Sequence, residues 1–176
     1  MKRIIAVVLA VTLAVAMFST GVLAHTEGDP YATDLIADGG SAETATDVGD
    51  VLVWNDAEYL YVKYVVTDPW CLVETHLQVA TSLEGIPQKN GNPPPGKFDN
   101  NVEHLCLADY TYAILLAWEA GTDLVIAAHA EIQQEVTLPD GTVDYVYETG
   151  WGQGEDFPGK NWAMYIEYTV QGAAAE

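Results

Sequence analysis

Residues 70–80, WCLVETHLQVA, carry the clearest alternation of apolar and polar positions in the chain. Spaced with a period of two, as in a β-strand, the segment separates into two faces. The first face is mainly apolar and contains Cys71, Val73, Thr75, Leu77 and Val79. The second face is mixed and contains Leu72, Glu74, His76, Gln78 and Ala80. The pattern therefore predicts a strand with one face in the core, and it places Glu74 and His76 side by side on the other.

Similar alternation predicts further strands along the chain. They are expected at residues 51–54, 59–66, 103–116, 124–136, 142–148 and 162–170. Residues 25–50 are predicted to form an extended lead-in with at most one edge strand. No amphipathic helical period is evident, and Gly/Pro turns separate the strands. The pattern predicts an all-β fold: a β-sandwich of about seven or more mostly antiparallel strands.

Two segments interrupt this pattern. Residues 84–101 contain three consecutive prolines, through which no strand ladder can run, so a long exposed loop is expected. Loops of that length in compact domains are functional or disordered. Residues 150–159 contain four glycines and one proline and are predicted to form a second, structured loop.

The N-terminal segment has the composition of a secretory signal peptide. Lys2 and Arg3 precede an apolar run that extends to Phe18, and Ala24 supplies a small residue at the expected cleavage site. Export to the cell surface or the extracellular medium is expected. An uncleaved membrane anchor is the competing interpretation, because the apolar run is long. The predicted organisation is a signal peptide at 1–24, one domain at 25–171 and a tail at 172–176.

The chain is strongly acidic. It has 26 acidic and six basic residues, and removal of the segment with Lys2 and Arg3 leaves a formal charge of −22. Such a surface repels nucleic acid and anionic lipid and attracts hydrated cations. Nucleic-acid partners are therefore not expected, nor is membrane insertion after cleavage. In an oxidising compartment, the two cysteines are expected to form one disulfide, Cys71–Cys106, in preference to a metal-binding pair.

Segments at 33–40, 47–64, 70–80, 91–98, 103–112, 124–132 and 148–168 together resemble a widespread, uncharacterised exported domain of bacterial and archaeal surface proteins. This resemblance implies secretion and no particular chemistry. Residues 53–69, VWNDAEYLYVKYVVTDP, resemble the opening hairpin of family 9 carbohydrate-binding modules and their relatives. Those modules are β-sandwiches that bind sugars or, in one branch, haem. The chain departs from them at ETHLQVA, where the modules have a more acidic strand.

The histidines suggest a metal site. Three imidazoles and two carboxylates lie on or beside predicted strands: Glu74, His76, Glu103, His104 and His129. Such groups suit Zn²⁺ or copper. The alternative is that each histidine is hydrogen-bonded within the sheet, since no HxH or HExxH spacing is present. His104 also shares its alternation with Cys106, which turns it toward the disulfide.

Two further metal sites are candidates. Cleavage after Ala24 would leave His25 at the mature N-terminus, where its amine and ring nitrogen are able to chelate copper. Acidic loops at 29–38, 47–50 and 155–156 offer oxygen ligands for Ca²⁺, although none has EF-hand spacing. A solvated acidic surface explains the same residues.

Aromatic residues near strand ends suggest a sugar-binding surface. Trp70 and Trp151 are the candidate stacking residues, whereas Trp54 and Trp162 are explained equally well by core packing. No serine or cysteine nucleophile with a base is visible, so an enzyme is not favoured.

The leading functional hypothesis is a secreted, non-catalytic surface or extracellular-matrix protein that self-assembles through strand edges into fibres, with assistance from cations. A carbohydrate-binding module that recognises an extracellular glycan is the first alternative. A histidine-based Zn or Cu protein is the second.

Overall fold

The computed structural model describes residues 24–172, which form an all-β domain of ten strands. The strands are β1 (Tyr31–Ala37), β2 (Thr46–Asn55), β3 (Tyr59–Val66), β4 (Trp70–Ala80), β5 (Asn100–Leu107), β6 (Asp109–Leu115), β7 (Asp123–Thr137), β8 (Val143–Gly152), β9 (Glu155–Asp156) and β10 (Met164–Thr169). Two short 3₁₀ turns, Leu83–Gly85 and Pro95–Lys97, lie between β4 and β5. Within residues 24–172, no helix has the length and apolar character needed to cross a bilayer. The signal-peptide residues 1–23 and the tail residues 173–176 lie outside the described residues.

The strands form one antiparallel sheet that curls into a nearly closed barrel. Its order is β5-β4-β7-β8-β1-β2-β3-β6, with β10 paired to β7 and β9 paired to β10. The inward faces of β1, β2, β3 and β6 pack against those of β4, β7 and β10, so one core separates two facing halves. Tyr64 of β3 crosses this core and donates a hydrogen bond from its hydroxyl to the carbonyl of His76 at 2.9 Å. The all-β prediction and the predicted disulfide, Cys71–Cys106, are both confirmed.

A second, smaller apolar layer lies on the outside of the sheet. Ile86 and Phe98, from the two ends of the proline-rich loop, are 2% and 3% exposed. They pack with Phe157 and with Ala127 and Trp151 of the sheet. The proline-rich segment was predicted to be an exposed loop, but its ends are anchored because these two apolar residues bury against the sheet. We call this group the outer layer.

Several features of the strands differ from the predictions. Residues 25–50 were expected to hold at most one edge strand, but β1 lies inside the sheet because it pairs with both β2 and β8. The single strand expected at 103–116 is two strands, β5 and β6, and Cys106 near the break has a φ of +59°. In β4, Leu72 stands opposite Ile132 and Glu74 opposite Glu131, so Val73 forms a β-bulge. The bulge reverses the alternation before it, so that Leu72 faces the core and Cys71 does not. A strict period of two cannot reveal such an insertion.

Asn55, at the end of β2, ties the C-terminal segment to the barrel. Its amide nitrogen donates to the carbonyls of Asp56 and Gln171, both at 3.0 Å. Its amide oxygen accepts from the Tyr168 hydroxyl and the Gln171 backbone N–H, both at 2.8 Å. Asn55 is 7% exposed, so these four bonds are largely shielded from water.

Asn55→Ala is expected to lower the free energy of unfolding by about 2–3 kcal/mol, because it leaves shielded donors and acceptors without partners. Urea denaturation measures this loss. Asn161→Ala, at an exposed residue between β9 and β10, is the control and is expected to change stability little. A loss below about 1 kcal/mol for Asn55→Ala would show that water replaces these bonds.

Candidate functional site

His76 and His129 form a buried pair on the outward face of β4 and β7. They are directly opposite in the antiparallel register, and their side chains lie beside the outer layer. His76 is 4% exposed and His129 5% exposed. Their Nδ1 atoms are 3.2 Å apart, and the Trp151 ring meets His129 edge to face at 4.8 Å. The strand register therefore brings together two imidazoles that are 53 residues apart in sequence.

Glu74 completes a hydrogen-bonded chain of three side chains. The Nε2–H of His76 donates to Oε1 of Glu74 at 3.1 Å, and the Glu74 side chain is 30% exposed. When His76 is neutral, this bond leaves its Nδ1 as an acceptor, so Nδ1–H of His129 is the donor between the rings. Glu74 and His76 were predicted to point the same way, and the structure shows them in contact with each other.

His129 is held in its neutral form. Desolvation by burial, reinforced by the nearby His76, lowers the pKa of His129 from 6.5 to about 3. Protonation of His129 in the folded protein is therefore unfavourable. A neutral imidazole is also the form that binds metals, but a shared proton already satisfies both Nδ1 atoms here.

The other two residues of the predicted metal cluster lie elsewhere. His104 is on the opposite side of the sheet, where its Nε2 contacts the Thr75 hydroxyl at 2.8 Å and its ring lies 4.5 Å from Tyr110. Burial lowers the pKa of His104, an effect that the Glu74 charge opposes. Glu103 stands opposite Glu74 on the edge strand β5 and is exposed. Across residues 24–172, no three His, Cys, Asp or Glu side chains are grouped as around a metal ion.

The two predicted stacking residues do not share a surface. Trp151 is 5% exposed and packs against His129, Phe98 and Phe157 in the outer layer. Trp70 is partly buried and packs against the barrel core. The outer layer covers Trp151, whereas Trp70 remains partly exposed.

His25 belongs to the segment that precedes β1, residues 24–30, which we call the strap. Its Nδ1 lies 3.4 Å from the carbonyl oxygen of Asp29, and its ring packs near Tyr31 and Tyr168 at 5.9 and 6.2 Å. The other three histidines are on β4, β5 and β7. The aromatic neighbours of His25 explain why the lead-in is ordered here.

A groove on the outside of β2, β3 and β6 was not anticipated from the sequence. It has a volume of about 540 Å³ and lies between the sheet and the strap. Its lining includes Trp54, Tyr61, Lys63 and Thr111 from the sheet and Glu27 from the strap. The alternation in residues 59–66 places Tyr61 and Lys63 on one face, but only the strap converts that face into a groove.

The hairpin of β7 and β8 extends beyond the rest of the barrel. β1 pairs with β8 only at residues 150–152, and no described strand pairs with the outer edge of residues 143–148. This free stretch carries exposed apolar side chains, with Val143 at 53%, Tyr145 at 47% and Tyr147 at 63%. We call residues 143–148 the open edge. An unpaired edge of this kind is a template for another strand.

Comparison with known proteins gives no family for this fold or these sites: no family model, no curated protein and no solved structure matches the chain.

Proposed function

We propose that this protein is an exported, non-catalytic surface protein that associates with further copies of itself through the open edge. The observation that carries the proposal is that no described strand pairs with the outer edge of residues 143–148, which also carry exposed apolar side chains. On this stretch the backbone N–H of Tyr145 donates to Oδ1 of Asp144 at 2.9 Å, a local bond that pairing with a second strand would replace. Proteins normally protect a strand edge with charge, proline or a covering loop. Here, Asp144 and Glu148 supply such charge, but the exposed rings of Tyr145 and Tyr147 lie between them.

The open edge is self-complementary in one register. An antiparallel pair of β8 strands centred on Tyr145 would place Val143 opposite Tyr147 of the second copy and Tyr145 opposite its own counterpart. Asp144 would face Val146, so no two carboxylates would be directly opposite. Aromatic and β-branched cross-strand pairs stabilise such ladders by about 0.2–1 kcal/mol each. A second copy of this chain therefore fits the edge better than a partner of undefined sequence.

Charge opposes this association and makes it dependent on salt. Each mature copy carries a formal charge of −22. Added salt shortens the range of the repulsion to about 10 Å at 0.1 M, so pairing is expected to strengthen as ionic strength rises. Assistance by divalent cations predicts more association in CaCl₂ than in NaCl of equal ionic strength.

Growth of fibres requires a second contact besides the open edge. Exposed leucines flank the seam between β5 and β6, with Leu105 at 96% and Leu115 at 69% exposed. The sheet order also ends at these two strands. A pair that closes at the open edge would therefore still present this seam to further copies.

Tyr145→Lys is expected to abolish self-association, because it places a charge in the centre of the open edge. Sedimentation velocity of residues 25–176 over a range of concentrations measures the effect. Ser82→Lys adds the same charge at an exposed residue just beyond the end of β4 that lies away from the hairpin, and it is expected to retain pairing at the open edge. Equal association of the Tyr145→Lys variant and the parent would contradict the proposal.

The alternative functions receive less support. A carbohydrate-binding surface at Trp70 and Trp151 lacks an exposed ring at Trp151. A Zn or Cu site at His76 and His129 has two imidazoles that already bond to each other.

A further inference from the structure

The groove beside Trp54 and Tyr61 combines an aromatic pair with negative charge. The two rings are neighbours across β2 and β3, with centroids 5.1 Å apart and planes inclined by 14°. Trp54 is 8% exposed, whereas Tyr61 is only partly buried. Stacking on Trp54 and the flanking strands fixes the Tyr61 ring, so this ring lines the groove without having to be ordered by a ligand.

Asp56 supplies a fixed anion at this ring. Its Oδ1 accepts hydrogen bonds from the backbone N–H groups of Glu58 and Tyr59, both at 2.7 Å, and its Oδ2 accepts from the Tyr61 hydroxyl at 2.9 Å. The two backbone bonds lower the pKa of Asp56, and the bond to Asp56 raises the pKa of Tyr61. The carboxylate therefore stays ionised and the phenol stays protonated at neutral pH. Donation of the hydroxyl proton toward a carboxylate also makes the ring face more electron-rich.

The remaining charges of the groove favour a cation. Glu27 from the strap adds a second carboxylate to the lining. The single basic side chain of the lining, Lys63, has its ammonium 3.5 Å from Asp109, which offsets its charge. The groove is therefore net negative within a protein that is itself strongly acidic, and an anionic ligand would be repelled.

We propose that this groove binds a small organic cation, of the quaternary ammonium or alkylamine class, against the Tyr61 ring and between the Asp56 and Glu27 carboxylates. A positive group over an electron-rich ring gains cation–π attraction, and the methyl groups of a quaternary ammonium shed little hydration on entering a partly apolar groove. A volume of about 540 Å³ admits such a molecule without movement of the barrel. This binding goes beyond the proposed self-association and uses a different side of the barrel.

Choline is the probe, measured by isothermal titration calorimetry at low ionic strength on residues 25–176. Its neutral isostere 3,3-dimethyl-1-butanol has the same shape without the charge. We expect choline to bind in the millimolar range and the alcohol to bind at least about tenfold more weakly. Equal binding of the two compounds, or absence of choline binding, would overturn the proposal.

Variants locate the site. Tyr61→Leu is expected to weaken choline at least about tenfold, and Tyr61→Phe, which keeps the ring, much less. Thermal melting of both variants checks that the barrel remains folded.

Glu27→Gln is expected to weaken choline binding about fivefold, because it removes one carboxylate of the groove. Glu43→Gln makes the same charge change on an exposed residue outside the groove and is expected to leave binding unchanged. Equal weakening by Glu27→Gln and Glu43→Gln would mean diffuse attraction to the acidic surface and would contradict a site.

Discussion

Replacement of both cysteines by serine is expected to lower the free energy of unfolding by about 4 kcal/mol. The bridge closes a loop with a sequence separation of 35 residues, and the chain-entropy model assigns about this value to a loop of that length. The consequence is concentrated in β5, since β4 is the only strand within residues 24–172 that pairs with it and the bridge links Cys71 of β4 to Cys106 of β5. A domain of this size has a total stability of about 5–15 kcal/mol, so the loss is a large share.

Urea denaturation of the parent and of the Cys71→Ser/Cys106→Ser variant measures this difference. A reductant should lower the parent to the stability of the variant and leave the variant unchanged, which separates loss of the bridge from local effects of the serines. A difference below about 1 kcal/mol would mean that β5 is held by its hydrogen bonds to β4 and needs no covalent link.

The folded domain is expected to lose stability as the pH falls below 6.5, because His129 resists protonation. Its pKa is lowered to about 3 in the folded state and returns to about 6.5 when the chain unfolds. The unfolded state therefore binds more protons throughout this window, and stability falls with falling pH. Above pH 6.5, the neutral His129 makes its full contribution to the free energy of unfolding. This contribution falls by about 2 kcal/mol between pH 6.5 and 5 and stops changing near pH 3.

His129→Gln tests the assignment through the slope of stability against pH and not through stability itself. The variant is expected to lack the loss of about 2 kcal/mol between pH 6.5 and 5, even where it is less stable overall. His25→Gln changes a histidine of the strap and is expected to keep the parent slope. A parent slope retained in His129→Gln would place the titrating group elsewhere. Burial also lowers the pKa of His104, so His104 contributes a slope of the same sign, but it does so in both proteins and leaves the difference between them to His129.

Local alternation located most of the strands, missed the break between β5 and β6, and did not give the faces correctly. β3 and β4 begin and end where the pattern predicts, because each is bounded by turn residues and buries one side. The bulge at Val73 then reverses the faces before it, since one extra residue shifts the period without changing composition. The positive φ at Cys106 was also not predictable from the sequence, because a cysteine does not indicate a left-handed backbone conformation.

The candidate sites depended on contacts between distant segments, which alternation does not encode. The His76–His129 pair requires the register of β4 against β7, and the register of β5 against β4 turns His104 to the other side of the sheet. Trp151 was open to interpretation as a surface residue because the sequence does not show that two loops cover it. The groove beside Tyr61 needs the strap, whose position follows from contacts of His25 with Tyr31 and Tyr168.

The central claim is that two copies pair through the open edge, and disulfide trapping between copies tests it most directly. In the proposed register, Tyr145 faces itself, so Tyr145→Cys is expected to form covalent dimers under mild oxidation. Val143→Cys should trap only when mixed with Tyr147→Cys, and Ser82→Cys, at an exposed residue outside both proposed contacts, reports the background rate of random collision. Trapping of Tyr145→Cys well above the Ser82→Cys background is the result we predict. Trapping no faster than that background would contradict pairing at this edge.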